Sequence, residues 1–265
     1  MVEGHRVVLI EEGMKTLAGT IFSYNAITHD YCFMEAIQNL KDFCDHVIVV
    51  DAGSRDGSIE AIQPLLDDKC ELHVFDEWEQ QKGTGSAKLN YFTNKAIEIA
   101  EKMGFTYTLN LQADEIVAES SFEWIRNAME EGQEGYMVRR YNLWKDPYHM
   151  LNVEQARKPC STEIVRLAKT GYRSVGDAES IGCPQVYIDY LDKIEIFHLG
   201  FVRKKDVMVS KIKHMQLNVF EMADYDHRVD VSPEFQPLDY FKPEDIIPIV
   251  KPLPKVIQAW AAARA

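Results

Sequence analysis

Residues 1 to 115 alternate two hydrophobic rhythms, one of strands and one of helices, which is the signature of an α/β sandwich. "GTIFSYN" (19–25) reads as a strand. Beyond it Met34, Ile37, Leu40 and Cys44 recur at three and four residues, the spacing of one helix face, with Asp30 placed to cap it. "HVIVVDAGS" (46–54) is an unbroken β-branched run, as expected of a strand buried on both faces. A short helix from about Ser58 and a third strand, "ELHVFD", follow. Ser86 then stands ready to cap a long helix carrying Leu89, Phe92, Ala96, Ile99 and Met103, which Gly104 ends. In the fourth strand Phe105, Tyr107, Leu109 and Leu111 alternate with Thr106, Thr108, Asn110 and Gln112, and continuing that period puts Gln112 and Asp114 on one side.

A helix over about 120–131, closed by Gly132, completes the regular half. After "GYMVRRYNLW" the rhythm loosens, although "EIVRLA" and "KIEIFHLGFV" read as strands and residues 206–222 as a helix. Six of the ten prolines fall between Pro233 and Pro254, which predicts a tail that wraps irregularly instead of folding by itself. The expected organisation is one domain over 1–232 with a proline-rich extension over 233–265.

Composition narrows the function classes. The net charge of -13 over 265 residues carries no long run of one sign, which argues against coating nucleic acid non-specifically. Arg139-Arg140 and Arg203-Lys204-Lys205 are the only obvious basic pieces. Five cysteines without a CxxC suggest neither a disulfide framework nor a zinc knuckle, and the plain reading is a reducing cytoplasm. No apolar stretch reaches membrane-spanning length, and the N-terminal apolar run is too short for a signal-peptide core.

Two strand ends carry candidate chemistry. Asp51 opens "DAGSRDGS" at the carboxyl end of a strand, where open α/β sheets place ligands and where a carboxylate can accept from a base or a ribose. The same residues also suit an ordinary turn, with Gly53 and Gly57 turning the chain and Asp56 or Ser58 capping the next helix. Asp114 and Glu115 end the fourth strand, and offer either hard oxygen ligands for Mg²⁺ or Mn²⁺ or simply a solvated acidic end. Lys82 and Lys88 flank "GTGS" ahead of the long helix, whose N-terminus would suit a phosphate.

The order of these segments resembles the family 2 glycosyltransferases of GT-A fold: a strand ending at Asn25, then "DAGSRDGS", then a helix with Asn94-Lys95-Ala96, then "QADE". The resemblance covers about residues 18–118 well and extends loosely to about 205. It implies a GT-A α/β/α sandwich, Rossmann-like with a mixed central sheet and an irregular C-terminal tail. Its nucleotide-sugar half would be 18–118 and its acceptor half 119–232. It implies that Asn25, Asp51, Ser54 and Asp56 meet the nucleoside, Lys88 a phosphate, and Gln112 a ribose or phosphate. Asp114 would hold Mn²⁺ or Mg²⁺, with His198 of "EIFHLGFVRK" on the metal or a phosphate and Arg203 on the diphosphate. Asp177 or Glu179 of "RSVGDAESIG" would be the catalytic base. Two positions depart from the family pattern: Ala26 stands where Glu is frequent, and Gln112 replaces the first acid of the DxD pattern.

The implied activity is transfer of a sugar from a UDP-, GDP- or CMP-linked donor to a hydroxyl acceptor, with inversion and a divalent metal. Saccharide, lipid-linked sugar, protein and modified nucleobase all remain open as acceptors. A non-catalytic nucleotide-sugar-binding relative is the first alternative, favoured by Gln112. A sugar-phosphate nucleotidyltransferase ranks lower, because "FSYNAITHD" lacks the Gly-rich basic loop such enzymes open with.

Overall fold

The computed structural model describes residues 14–81, 86–152, 161–224 and 245–264, without the side chains of Ser86 and Lys205. Lys82, most of "GTGS" and Pro233, Pro237 and Pro243 lie outside the described residues. The first half is β1 (Leu17–Ser23), α1 (Phe33–Phe43), β2 (His46–Asp51), α2 (Ser58–Ile62), β3 (Cys70–Val74), α3 (Ser86–Lys102) and β4 (Tyr107–Leu111). The second is β5 (Glu115–Val117), α4 (Phe122–Glu131), β6 (Gly135–Trp144), β7 (Asp146–Leu151), β8 (Glu163–Lys169), β9 (Arg173–Val175), β10 (Ser180–Gly182), β11 (Val186–Tyr187) and β12 (Glu195–Phe201). Helix α5 (Lys205–His214) with a π turn (Met215–Val219), β13 (Ile246–Pro248) and α6 (Lys255–Ala262) complete it.

The fold is mixed α/β around one central mixed sheet, in the order β13-β7-β6-β8-β4-β1-β2-β3. Strands β3, β2, β1 and β4 are mutually parallel, while β8 runs antiparallel to both β4 and β6. The continuous apolar run of β2 shows why it sits centrally. Val47 and Val49 face the core under α1, and Ile48 and Val50 face the core under α3. In β4 the predicted alternation holds: Tyr107, Leu109 and Leu111 join the α1-side core. On its other face Asn110 Nδ2 donates to Thr20 Oγ1 across to β1 at 3.1 Å, which satisfies a buried amide.

Two local expectations change. Asp30 does not cap α1: Cys32 holds that place without a side-chain bond, and Asp30, at φ 52°, receives Arg264 Nη1 at 2.8 Å instead. The β4 period stops at Leu111, because residues 112–114 turn and Glu115 N donates to Gln112 O at 3.0 Å. Within the tail, residues 245–264 hold one short strand and one helix. Strand β13 pairs with β7 at the sheet edge, and Ile257 and Trp260 of α6 join the core that α1 covers. A proline is tolerated there since an edge strand needs no donor on its outer side.

Candidate functional site

A cavity of about 380 Å³ opens at the carboxyl ends of β1 and β4. Its floor comes from the 112–114 turn and from Arg140, Asn142 and His198 of β6 and β12. One wall is the 177–179 loop, and the other is the inner face of α5 and its π turn. An aromatic corner closes it, in which Tyr24 stacks on Trp78 with centroids 4.3 Å apart and planes 15° apart. Of the residues expected from sequence, Gln112, Asp114, Asp177, Glu179 and His198 meet in this cavity. Asn25, Asp51, Ser54, Asp56, Lys88 and Arg203 do not line it.

The loop after β2 explains part of that division. Asp51 is fully buried, and its Oδ1 accepts from Gly53 N (2.9 Å) and Ser54 N (2.7 Å). Its Oδ2 accepts from Ser54 Oγ (2.6 Å) and Ser23 Oγ (3.0 Å). Ser54 Oγ in turn accepts from Asn25 N, Asn25 Oδ1 accepts from Arg55 N, and Asp56 Oδ2 accepts from Thr28 N. The motif's polar side chains thus clasp the β1 and β2 loops to each other. Gly53 is required for the clasp: its φ is 90°, and a Cβ there would lie 2.5 Å from Asp76 Oδ1. Lys88, buried on α3, lies 5.7 Å from the centroid of the Trp78 ring.

Asp114 sits in a basic surround. Its Oδ2 accepts from Arg203 Nη2 at 3.0 Å and Lys211 Nζ at 3.4 Å, while His198 Nε2 lies 3.5 Å from Oδ1. Burial alone would raise this carboxyl, but Lys211, His198 and Arg203 outweigh burial and hold it well below the ordinary range. Arg203 is a buried pin, not a pocket residue. Its remaining bonds go to the carbonyls of His29, Leu199 and Gly200, and its guanidinium lies 4.7 Å from the Tyr31 centroid. Lys211 does line the cavity; burial, then Arg203, lowers its pKa to about 8 against the pull of Asp114. His198 is hydrogen bonded through Nδ1 to Asn142 Oδ1 at 2.8 Å, and burial lowers its pKa.

A divalent ion does not fit this donor set. Asp114 is one carboxylate already shared by two fixed cations, and a hard metal ion needs several free oxygens. Glu115, its neighbour, is wholly buried and taken by Arg166 Nη2 (2.7 Å) and Arg140 Nη1 (3.3 Å). Among the described residues no group of three or more His, Cys, Asp or Glu could hold a metal.

The 177–179 loop hangs on that same cluster. Arg166, fully buried in β8, donates through Nη1 to Ala178 O at 2.9 Å, at a residue whose φ is 56°. Glu179 is bonded to Arg140 Nη2 and accepts from Ser161 Oγ at 3.0 Å. The exposed Asp177 carboxylate has no hydrogen bond or ion pair among the described residues, and partial desolvation, then Glu179, raises its pKa. Sequence reading missed Arg166, Lys211 and the Tyr24–Trp78 corner. Arg166 had a signal, a charge inside the apolar run "EIVRLA".

No protein-family model and no curated protein sequence matches the chain. Among solved structures it is similar to S. aureus TarS at 12% identity and TM-score 0.42, covering 81% of this chain and 41% of that one. It is also similar to a candidate glucose-1-phosphate thymidylyltransferase of Bacillus anthracis, solved with sucrose, at 12% identity and TM-score 0.35. That match covers 59% of this chain and 70% of the other. The chain thus spans well under half the length of TarS, and these remote likenesses leave the reading of the site to its own residues. No helix among the described residues is long and apolar enough to cross a membrane.

Proposed function

We propose that this chain transfers a glycosyl group from a nucleotide-sugar donor to a hydroxyl acceptor, by direct displacement with inversion. The observation that supports this most is the separation of charge across one pocket. Lys211, backed by Arg203, lines it from α5, and the Asp177 carboxylate, without a partner among the described residues, stands on the loop that forms another wall. In this reading the acceptor hydroxyl attacks the anomeric carbon as its proton passes to Asp177. The anomeric carbon–oxygen bond to the diphosphate breaks, and the negative charge left on the diphosphate meets Lys211. No step passes through a divalent ion, because the oxygens around Asp114 do not fit one. The sequence-derived nucleoside residues Asn25, Asp51, Ser54 and Asp56 act here by shaping two loops, while Tyr24, backed by the buried Trp78, gives the base a stacking face.

Glu179 takes a different role from Asp177. Its ion pair with Arg140 makes it a support of the loop, so the proton acceptor is Asp177. The test begins with a thermal-shift screen of UDP-, GDP- and CMP-sugars, since a ligand that binds only the folded state raises its melting temperature. With the donor found, Asp177→Asn lowers turnover by about 10²–10⁴-fold and leaves donor binding intact. Turnover should fall with decreasing pH through a pKa above the usual aspartate range, as the base becomes protonated. Wild-type turnover in Asp177→Asn would remove the base assignment. A melting shift without turnover would leave a silent nucleotide-sugar binder, and pyrophosphate-dependent turnover would identify a nucleotidyltransferase.

A further inference from the structure

Resting on the transfer reading above, we infer that the donor's diphosphate is bound by a fixed cationic floor, Lys211 over Arg203, with no divalent ion at Asp114. The charge inventory carries this. Two cations share one carboxylate oxygen, so that end of the pocket holds one positive charge in excess. A divalent ion placed on Asp114 would lie beside two like charges that cannot move far. Arg203 is pinned by three carbonyls, and Lys211 Nζ donates to Gly200 O at 3.2 Å as well as to Asp114. An ammonium has three donors, and two are used. The third has only the face of the Tyr31 ring, 4.9 Å from Nζ to its centroid, to compete with a ligand in the cavity that Lys211 lines.

The charges around the 177–179 loop have the reverse balance among the described residues. Arg140 and Arg166 are matched by Glu115 and Glu179, which leaves Asp177 as the surplus negative charge. A pocket polarised in this way takes an anionic leaving group at the Lys211 end. Asp177 has no contact with that cation among the described residues; such a contact would stabilise its ionised form and weaken it as a base. Asp114 is then a brace that holds Arg203 and Lys211 in place, and the loss of an acid at Gln112 removes nothing the site uses.

The probe is inorganic pyrophosphate, titrated calorimetrically into metal-stripped full-length protein in EDTA and again with Mn²⁺. Pyrophosphate should bind in EDTA. Lys211→Met should weaken it at least about tenfold, the scale of one charge-assisted hydrogen bond, while Lys211→Arg, which keeps the charge, should retain most of it. Circular dichroism of both variants separates lost binding from lost fold. Binding that requires Mn²⁺, or an unchanged affinity in a folded Lys211→Met, overturns the inference, as does no binding in either condition. If pyrophosphate binds in EDTA through Lys211 but no nucleotide sugar is consumed, the floor stands and the transfer reading falls.

Discussion

Removing Arg166 tests whether a buried ion cluster positions the 177–179 loop. The guanidinium is fully buried, and only its outer nitrogens are bonded, one to Glu115 Oε1 at 2.7 Å and one to Ala178 O at 2.9 Å. Arg166→Met fills much of the same volume but strips Glu115 of its nearer cation. Breaking a buried pair from one side costs about 3–5 kcal/mol, and the low end applies because Arg140 Nη1 at 3.3 Å and Gln112 N at 3.0 Å still face Glu115. At about 2–4 °C per kcal/mol for a chain of this size, a loss of about 3 kcal/mol lowers Tm by about 6–12 °C. Urea unfolding of Arg166→Met, Glu115→Gln and the double variant measures the coupling. The double should be less destabilised than the sum of the singles by at least about 1 kcal/mol, since it leaves no uncompensated charge on either side. Turnover should fall in Arg166→Met with donor affinity kept, because a loop displaced by about 1 Å can cost about 10²-fold in rate. Additive singles, or a Tm within about 1 °C of wild type, would refute the reasoning.

Gly53→Ala should destabilise the chain by more than about 1 kcal/mol in urea unfolding, since φ is 90° and the new methyl meets Asp76; an unchanged midpoint would contradict the clasp. Asp51→Asn should cost about 1.5–3 kcal/mol by the same assay, because an amide accepts at only one of the two oxygens that now take four bonds. Its effect on nucleotide affinity, measured separately, decides between clasp and contact. His29 is buried with Nδ1 unpartnered, and burial, then His214, Lys211 and Arg203, lower its pKa to about 4, with only Asp56 opposing. A base whose folded pKa is depressed stabilises the fold fully above its unfolded value near 6.5, and that stability declines as pH falls toward 4. His29→Gln should flatten this decline between pH 6.5 and 4, and an unchanged slope in denaturation midpoints would show that His29 does not titrate there.

What was legible in the sequence follows from the range of the forces involved. Strand β2 could be read from nine neighbouring letters because burial on both faces leaves a continuous apolar run, and α3 because its core face repeats within itself. The "DAGSRDGS" loop could be located but not interpreted. Whether Asp51 faces a ligand or four internal donors depends on Ser23, 28 positions away, as well as on its own turn. The 177–179 loop was found as a small polar segment, yet the choice between Asp177 and Glu179 rests on Arg140, 39 positions before Glu179. Lys211 was not legible at all, since a lysine on an ordinary helix carries no local sign that it will meet Asp114 from 97 positions away.

The adjacent acids at 114 and 115 show how these long-range contacts decide function. As neighbouring letters they suggest a chelating pair, but the fold divides them between two sets of cations. Asp114 braces Arg203 and Lys211, and through them the α5 wall. Glu115 braces Arg166 and Arg140, and through them the loop that carries Asp177. Each carboxylate is held ionised by its own partners, so neither suits a base, and Asp177, which no cation touches among the described residues, is the carboxylate proposed for that role. Both walls of the pocket therefore hang on two consecutive residues, one in the turn after β4 and one opening β5. The turn between them, closed by the hydrogen bond from Glu115 N to Gln112 O, is what directs one carboxylate to each set of cations.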